Sequence, residues 1–286
     1  MFIGTERLTH TYMPGTPFAA RALQDISFSF QQGEFNLIIG PSGSGKSTLI
    51  QHLNGLLRPT AGKVIFEDND IGGDKYQLLC LRRRIGLVFQ MPEEQFFSET
   101  VFDEVAFAPR NQGFGEDEVE KRVTEALEKV GLDAAALKWR HPFQLSAGQK
   151  RLVAIAAVLS LNPEVLILDE PTVALDTAGR KNLFELLIEL NRKERLTVII
   201  STHHLEEAAA LADRVLVLKQ GRLIMCGPAS EIFGNREHLY SLGLALPPVT
   251  EIMLDLAEKG YPVNTLIYTL QDARREIINL IRRYKS

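Results

Sequence analysis

GPSGSGKST, residues 40–48, stands between an apolar run and an amphipathic one, and the three pieces read in order as strand, loop and helix. Upstream, ALQDISFSFQQGEFNLII at 22–39 divides into two β segments at the Gln31-Gln32-Gly33 turn, the second ending in bulky apolar residues. Downstream, Leu49, Ile50, Leu53 and Leu57 recur at helical spacing, which predicts a helix over 47–57 stopped by Arg58-Pro59-Thr60-Ala61-Gly62. The loop fits the pattern G-x-x-x-x-G-K-[ST]. Its glycines let successive backbone N–H groups turn inward around phosphates, and the helix after it points its positive end at them. Gly40, Pro41, Ser42, Gly43, Ser44, Gly45, Lys46, Ser47 and Thr48 are therefore candidates for holding a nucleotide. Lys46 would bridge the terminal phosphates, and Ser47 would offer its hydroxyl to Mg²⁺.

VLILDE at 165–170 closes an apolar run with two acids. VLILD and TVIIST at 197–202 lack polar alternation, which predicts parallel strands covered on both faces. A carboxylate at the end of such a strand can hold hydrated Mg²⁺ beside the β and γ phosphates, a role that falls to Asp169. Glu170, one residue on, is placed to polarise an attacking water as general base. LSAGQKRL at 145–152 sets a serine and a glycine at the mouth of the helix QKRLVAIAAVL, offering a hydroxyl, backbone donors and the helix dipole to an anion. Taken alone, that motif reads equally as an N-cap by Ser146.

IGLVFQ at 85–90 is another strand, and Val119, Val123, Leu127 and Val130 share one helical face that ends at Gly131. Residues from about 91 to 160 thus read as a helical insert in an α/β core. From Gly227 the pattern turns to short helices interrupted by Gly243, Pro247-Pro248 and Gly260-Tyr261-Pro262, ending in DARREIINLIRRYKS. The expected division is a main domain over 1–230 and a small C-terminal domain over 231–286.

Glycine loop, LSAGQ segment and Asp-Glu pair, motif for motif and in order, make residues 5–230 resemble the ATP-binding subunit of an ABC transporter. The resemblance implies a P-loop NTPase fold: a RecA-like core, an antiparallel β subdomain, a helical subdomain carrying the signature and a small α-rich C-terminal domain. It implies ATP and Mg²⁺ as ligands. It makes Gln90 the glutamine that contacts Mg²⁺ and faces a membrane partner, ALD at 174–176 the D-loop, and His203 of STHH the switch histidine that touches the γ-phosphate. Tyr12 would stack on adenine. Two such subunits face head to tail, so Ser146, Gly148 and Gln149 of one chain would cover the ATP held by the glycine loop of the other.

TPFAARAL, STLIQHLNGLLRPTAG, GLVFQMPEEQFFSETVFDEVAFAPRN and HPFQLSAGQKRLVAIAAVL are similar, more narrowly, to the ATPases of energy-coupling factor importers of vitamins and metals. They look like the type that pairs with a second, related ATPase. LGLALPPVTEIMLDLAEKGYPVNT resembles the extra domain of that group, which is involved in ATPase pairing. The implied assembly is a heteropair, with a homopair as the other possibility, together with a transmembrane coupling protein and a small substrate-binding membrane protein. The implied place is peripheral, at the cytoplasmic face of the cell membrane. The surface from Gln90 through MPEEQFF, with Phe96 and Phe97, is expected to dock a helix of the membrane partner. Ala147 in the signature and Ala174 in the D-loop stand where the family usually has glycine, and His204 follows the switch histidine. Each added methyl narrows backbone freedom while the phosphate-facing groups are kept.

A chain of 286 residues with 45% apolar residues can fill one large core plus a smaller appendage. The balance of 32 basic against 36 acidic residues leaves −4, which gives no global attraction to nucleic acid, and none is expected as a partner. Cys80 and Cys226 have no metal-ligand spacing and read as core fillers in a reducing compartment, as Trp139 reads as packing. No leader is expected at the start, and no run approaches the roughly 20 apolar residues that span a bilayer, so a membrane would be served through partners. The competing readings are an ATPase of another ABC transporter and a soluble ABC protein of DNA repair or translation. The latter typically carry tandem modules or long coiled-coil insertions, which this sequence lacks. A P-loop kinase or GTPase leaves LSAGQ unexplained, and no N-K-x-D motif is present.

Overall fold

The computed structural model describes residues 1–72, 75–202 and 205–285, and their side chains except at 75–77, 93, 206, 207, 284 and 285. Its strands are β1 (Ile3–Tyr12), β2 (Ala20–Phe30), β3 (Phe35–Ile39), β4 (Ala61–Phe66), β5 (Asn69–Asp70), β6 (Ile85–Val88), β7 (Val165–Asp169), β8 (Thr197–Ser201), β9 (Arg214–Lys219) and β10 (Arg222–Pro228). One sheet, in the order β2-β1-β4-β5, is antiparallel. The other runs β10-β9-β3-β8-β7-β6, with β9, β3, β8, β7 and β6 parallel and β10 antiparallel at its edge.

The helices are α1 (Lys46–Leu53), α2 (Lys75–Arg84), α3 (Val101–Asn111), α4 (Glu116–Lys129), α5 (Ala134–Leu137), α6 (Ala147–Leu159), α7 (Thr177–Glu194), α8 (Leu205–Ala209), α9 (Ala229–Phe233), α10 (Arg236–Ser241), α11 (Pro248–Glu258) and α12 (Leu270–Lys285). Among the described residues no helix is long and apolar enough to cross a membrane.

The parallel strands are mostly apolar because each feeds two cores. Phe35, Leu37 and Ile39 of β3, Leu166 and Leu168 of β7, and Val198 and Ile200 of β8 enter a core filled from α3, α4, α6 and α7. Ile38, Val165, Ile167 and Ile199 point the other way, into a core shared with Leu49, Ile50 and Leu53 of α1 and with the antiparallel sheet. Of the helices filling the first core, α3, α6 and α7 start at side-chain caps, whereas α4 starts at Gly115 without one. Thr100 accepts from Asp103 N ahead of α3, and Asp176 accepts from Gly179 N ahead of α7.

Two elements end earlier than their periodicity suggests. α1 stops at Leu53 because Asn54 turns its side chain to donate to Ile85 O at 2.5 Å and Gly55 takes φ +70. β6 stops at Val88 because the carbonyls of Phe89 and Gln90 leave the ladder for the Arg151 guanidinium.

Residues of the C-terminal segment meet both the main body and one another. Ala229, Ile232, Phe233, Leu239, Leu242 and Leu246 lie in the first core. Met253, Ile267 and Ala273 form a small cluster of their own with Val249, Leu256, Val263 and Ile277 around it. Because β3, β6, β7 and β8 are parallel, their carboxyl ends share one edge, and that edge is where crevices for ligands form in open α/β sheets.

Candidate active site

β3 passes into the glycine loop at Gly40, where an added Cβ would lie 2.2 Å from Leu218 O of β9, so no larger residue fits. At the other end Gly45 caps α1 at φ +102, and a Cβ there would come within 2.8 Å of Ala22 O. The turn between them is closed by Ser44 N donating to Pro41 O at 3.2 Å and held to the β9–β10 hairpin by Gly221 N donating to Ser44 O at 3.0 Å. Lys46 Nζ lies across the loop, donating to Gly40 O at 2.9 Å and Pro41 O at 3.2 Å. Ser44 Oγ is buried and has no hydrogen-bond partner among the described residues. The first turn of α1 carries no acid. Inward-curving backbone, an ammonium, an unpartnered hydroxyl and a helix N-terminus together fit a polyphosphate.

The cleft in front of this loop has a volume of about 690 Å³. All nine loop residues, 40–48, wall it together with Gln90, Glu170, Thr202 and Leu205. Gly243, Leu244 and Ala245, which follow α10, complete the wall.

Asp169 ends β7 and is buried, and the β7–β8 register places Ser201 opposite it. Ser201 Oγ donates a short hydrogen bond to Asp169 Oδ1. Glu170 N donates to Ser201 O at 2.9 Å and to Ser201 Oγ at 3.2 Å. These bonds hold Glu170 at φ +47, a left-handed conformation that costs a non-glycine residue about 1–2 kcal/mol. Strain of this kind, imposed by surrounding structure, collects at functional sites. Ser47, Gln90 and Asp169 offer hydroxyl, amide and carboxylate oxygens, the hard donor set that suits Mg²⁺.

Gln90 is exposed at the cleft, and its carbonyl accepts from Arg151 Nη1 at 2.7 Å. Arg151 is only 3% exposed and also donates through Nη2 to Val173 O at 3.1 Å. The helix that follows the LSAGQ segment is thereby tied to the Gln90 segment and to the turn leading into Ala174, which sits at φ +62. Ser146 and Gln149 form a capping box at the start of α6. Ser146 Oγ accepts from Gln149 N at 3.3 Å, and Gln149 Oε1 accepts from Ser146 N at 3.1 Å. The N-cap reading of this motif is therefore correct as local structure. Ser146, Gly148 and Gln149 are not among the residues walling this chain's own cleft. A Cβ at Gly148 would meet nothing within 4 Å, so no contact inside this chain requires glycine there.

Tyr12 stands beside the cleft with its hydroxyl 3.1 Å from Thr48 Oγ1. His203, and His204 after it, lie outside the described residues. Of the expected docking pair, Phe96 is a core residue, because it seats in the first core near Phe143. Phe97 is 64% exposed and meets Phe107 edge to face at 4.7 Å. Trp139 is likewise at the surface, leaning on Phe102 at 5.1 Å rather than filling a core, and Cys80 and Cys226 are half-buried.

Three features of the site escaped the sequence. Ser201 joins it through strand register, and Gly243–Ala245 through tertiary folding. Arg151 alone left a signal, as the second of the adjacent cations Lys150 and Arg151 ahead of the apolar run 152–159.

The family profile described as ABC transporter matches residues 23–173. The energy-coupling factor transporter ATP-binding protein EcfA2 of Clostridium acetobutylicum is 44% identical over 285 residues, covering 100% of both chains. The solved structure of cbiO1 from Clostridium perfringens, described as part of the ABC transporter complex cbiONQ, matches at TM-score 0.75 and 39% identity over 88% of this chain and 98% of that one. The ATP-binding cassette MJ0796, solved as a post-hydrolysis dimer with ADP and Pi, matches at TM-score 0.72 and 31% identity over 80% of this chain and 99% of its own. A profile match across the glycine loop, the signature and the Asp-Glu pair, joined to full-length identity at this level, means that the chain belongs to the ABC transporter ATP-binding proteins, in the energy-coupling factor group.

Proposed function

We propose that this chain is the ATP-binding and ATP-hydrolysing subunit of an energy-coupling factor importer, powering uptake of a vitamin or a transition-metal ion through membrane partners. The observation that carries the reading is that one cleft gathers the glycine loop, Gln90, Glu170 and Thr202 from the ends of four parallel strands. Loop N–H groups and Lys46 hold the β and γ phosphates, and Thr48 donates its hydroxyl to the phosphate chain. Ser47, Gln90 and Asp169 would hold Mg²⁺, which when bound neutralises charge on the phosphate oxygens. Glu170 accepts a proton from water as the water oxygen bonds to the γ-phosphorus. The bond from that phosphorus to the bridging oxygen breaks, leaving ADP and phosphate. Tyr12 stacks on the adenine, and His203 touches the γ-phosphate.

Ser146, Gly148 and Gln149 act on the ATP of a facing chain. This explains why they sit away from their own cleft and why Gly148 is left open. The facing chain is a second, related ATPase, and residues 231–286 take part in that pairing. Binding closes the pair and hydrolysis reopens it, a ligand-biased motion passed to the membrane partner by the surface around Gln90 and Phe97. The complex holds a transmembrane coupling protein and a substrate-binding membrane protein, and this subunit lies at the cytoplasmic face.

The test is reconstitution of the chain with a second ATPase and the two membrane proteins in vesicles. ATP-driven uptake is expected, and its loss on Glu170→Gln with the complex still assembled. Full turnover of the chain alone, unaltered by membrane partners, would favour the soluble ABC reading.

A further inference from the structure

β1 and α1 are joined by a buried pair of histidines. His52, in the last turn of α1, is fully buried, and His10 on β1 is 7% exposed. His52 Nδ1 lies 2.7 Å from Thr48 O, and a carbonyl can only accept, so that nitrogen carries a proton. Burial, the largest influence on His52, disfavours its charged form and so favours the ring whose Nε2 is a bare acceptor. His10 Nδ1, 3.1 Å from that Nε2, is therefore the donor, and it shares its proton with Arg58 O at 3.2 Å. The chain of donation runs from His10 to His52 to Thr48. It leaves His10 Nε2 buried and without a partner among the described residues.

Both ends of this chain reach Tyr12. Its ring meets the His10 ring edge to face at 4.5 Å, and its hydroxyl lies 3.1 Å from Thr48 Oγ1. Tyr12, Thr48, His52 and His10 thus close a circuit between the strand that carries the tyrosine and the helix that carries Lys46, Ser47 and Thr48. Phosphate oxygens only accept, so a Thr48 hydroxyl donating to ATP must in turn accept from Tyr12. Tyr12 remains 39% exposed, which leaves surface for a base while its inner side is fixed.

We propose that His10 and His52 are positioning residues that hold Tyr12 in place for the adenine of ATP relative to the phosphate-binding helix. This rests on the reading of Tyr12 as the adenine platform. A buried imidazole pair with an unpartnered nitrogen is a costly way merely to fill space. It is suited to orientation, because each ring accepts only one tautomer here. Fixing the platform before the ligand arrives raises affinity by reducing what binding must order.

The experiment compares His10→Leu, His10→Asn, Tyr12→Ala and the His10→Leu/Tyr12→Ala double variant in the assembled transporter. His10→Leu should raise the KM for ATP roughly tenfold with kcat unchanged, and His10→Asn, whose amide can replace the Nδ1 donor, should restore it. The double variant should be no worse than Tyr12→Ala alone, because both remove one platform. Tripolyphosphate, which has no base, should inhibit all four variants as it inhibits the parent. If Tyr12→Ala raises KM and His10→Leu adds its full effect on top, the platform stands and the positioning role is refuted. If Tyr12→Ala leaves KM unchanged, the platform reading falls and the positioning role with it. Should His10→Leu fold poorly, the ¹⁵N imidazole spectrum of the parent chain decides. Protons on Nδ1 of both rings support the circuit, and any other tautomer overturns it.

Discussion

Glu170 combines basic chemistry with a left-handed backbone held by Ser201, so its substitution separates chemistry from shape. Glu170→Gln keeps the size and the backbone bonds and removes the basicity. Phosphate release by the assembled complex should fall by roughly 10²-fold or more while nucleotide binding is retained. Near-normal turnover would reject the assignment. Ala174 at φ +62 makes the opposite kind of test. Ala174→Gly relieves strain but frees the unfolded chain, so a net gain of about 0.5 kcal/mol in unfolding stability is expected in denaturant melts. His52 sets a pH dependence. Burial holds it below the usual imidazole value of about 6.5, so it stays neutral in the fold while the unfolded chain takes up its proton. The stability that this neutrality provides is present above about pH 6.5 and is lost as pH falls through the range below it. His52→Asn should flatten that acid limb in pH-dependent melts. The acids and the lysine were legible because their chemistry is written in consecutive residues. The histidine circuit was not, since His10 and His52 become neighbours only when β1 lies over α1.

At the scale of elements, α6 joins the signature to the rest of the site through Arg151, whose guanidinium serves carbonyls of Gln90 and Val173. Arg151→Met strands these half-buried acceptors, and a loss of about 1–3 kcal/mol in unfolding free energy is expected. A loss below about 0.5 kcal/mol would mean that the ties carry no weight. The loop after α10 offers a second test. Gly243–Ala245 wall the cleft, and Ala245 is exposed there, so Ala245→Trp should weaken ATP binding without lowering the melting temperature. Unchanged affinity would place the loop outside the ATP volume. The parallel strands were readable from unbroken apolar runs, and the helical insert from its period. Exact ends were not, because α1 and β6 are cut short by tertiary bonds from Asn54 and Arg151. Phe96 and Phe97 are adjacent in sequence and opposite in fate, and only the fold determines which of them is buried.

At the scale of the whole molecule, one copy of each motif yields two half-sites on one chain: a cleft lacking the signature, and a signature whose Gly148 faces open space. In the function proposed above, ATP shared between facing chains would complete both. The resemblance to a paired family made this expectation available from sequence, whereas the separation of Ser146 from its own cleft required the fold. The most direct measurement is ATP-dependent association by sedimentation of the Glu170→Gln chain with its partner ATPase, with and without Ser146→Arg in this chain. ATP should drive association of the Glu170→Gln pair. Adding Ser146→Arg should weaken that association strongly, yet leave nucleotide binding by the isolated chain unchanged. Association that ignores both ATP and Ser146→Arg, or a Ser146→Arg chain that alone binds ATP as poorly as Lys46→Ala, would contradict the shared site.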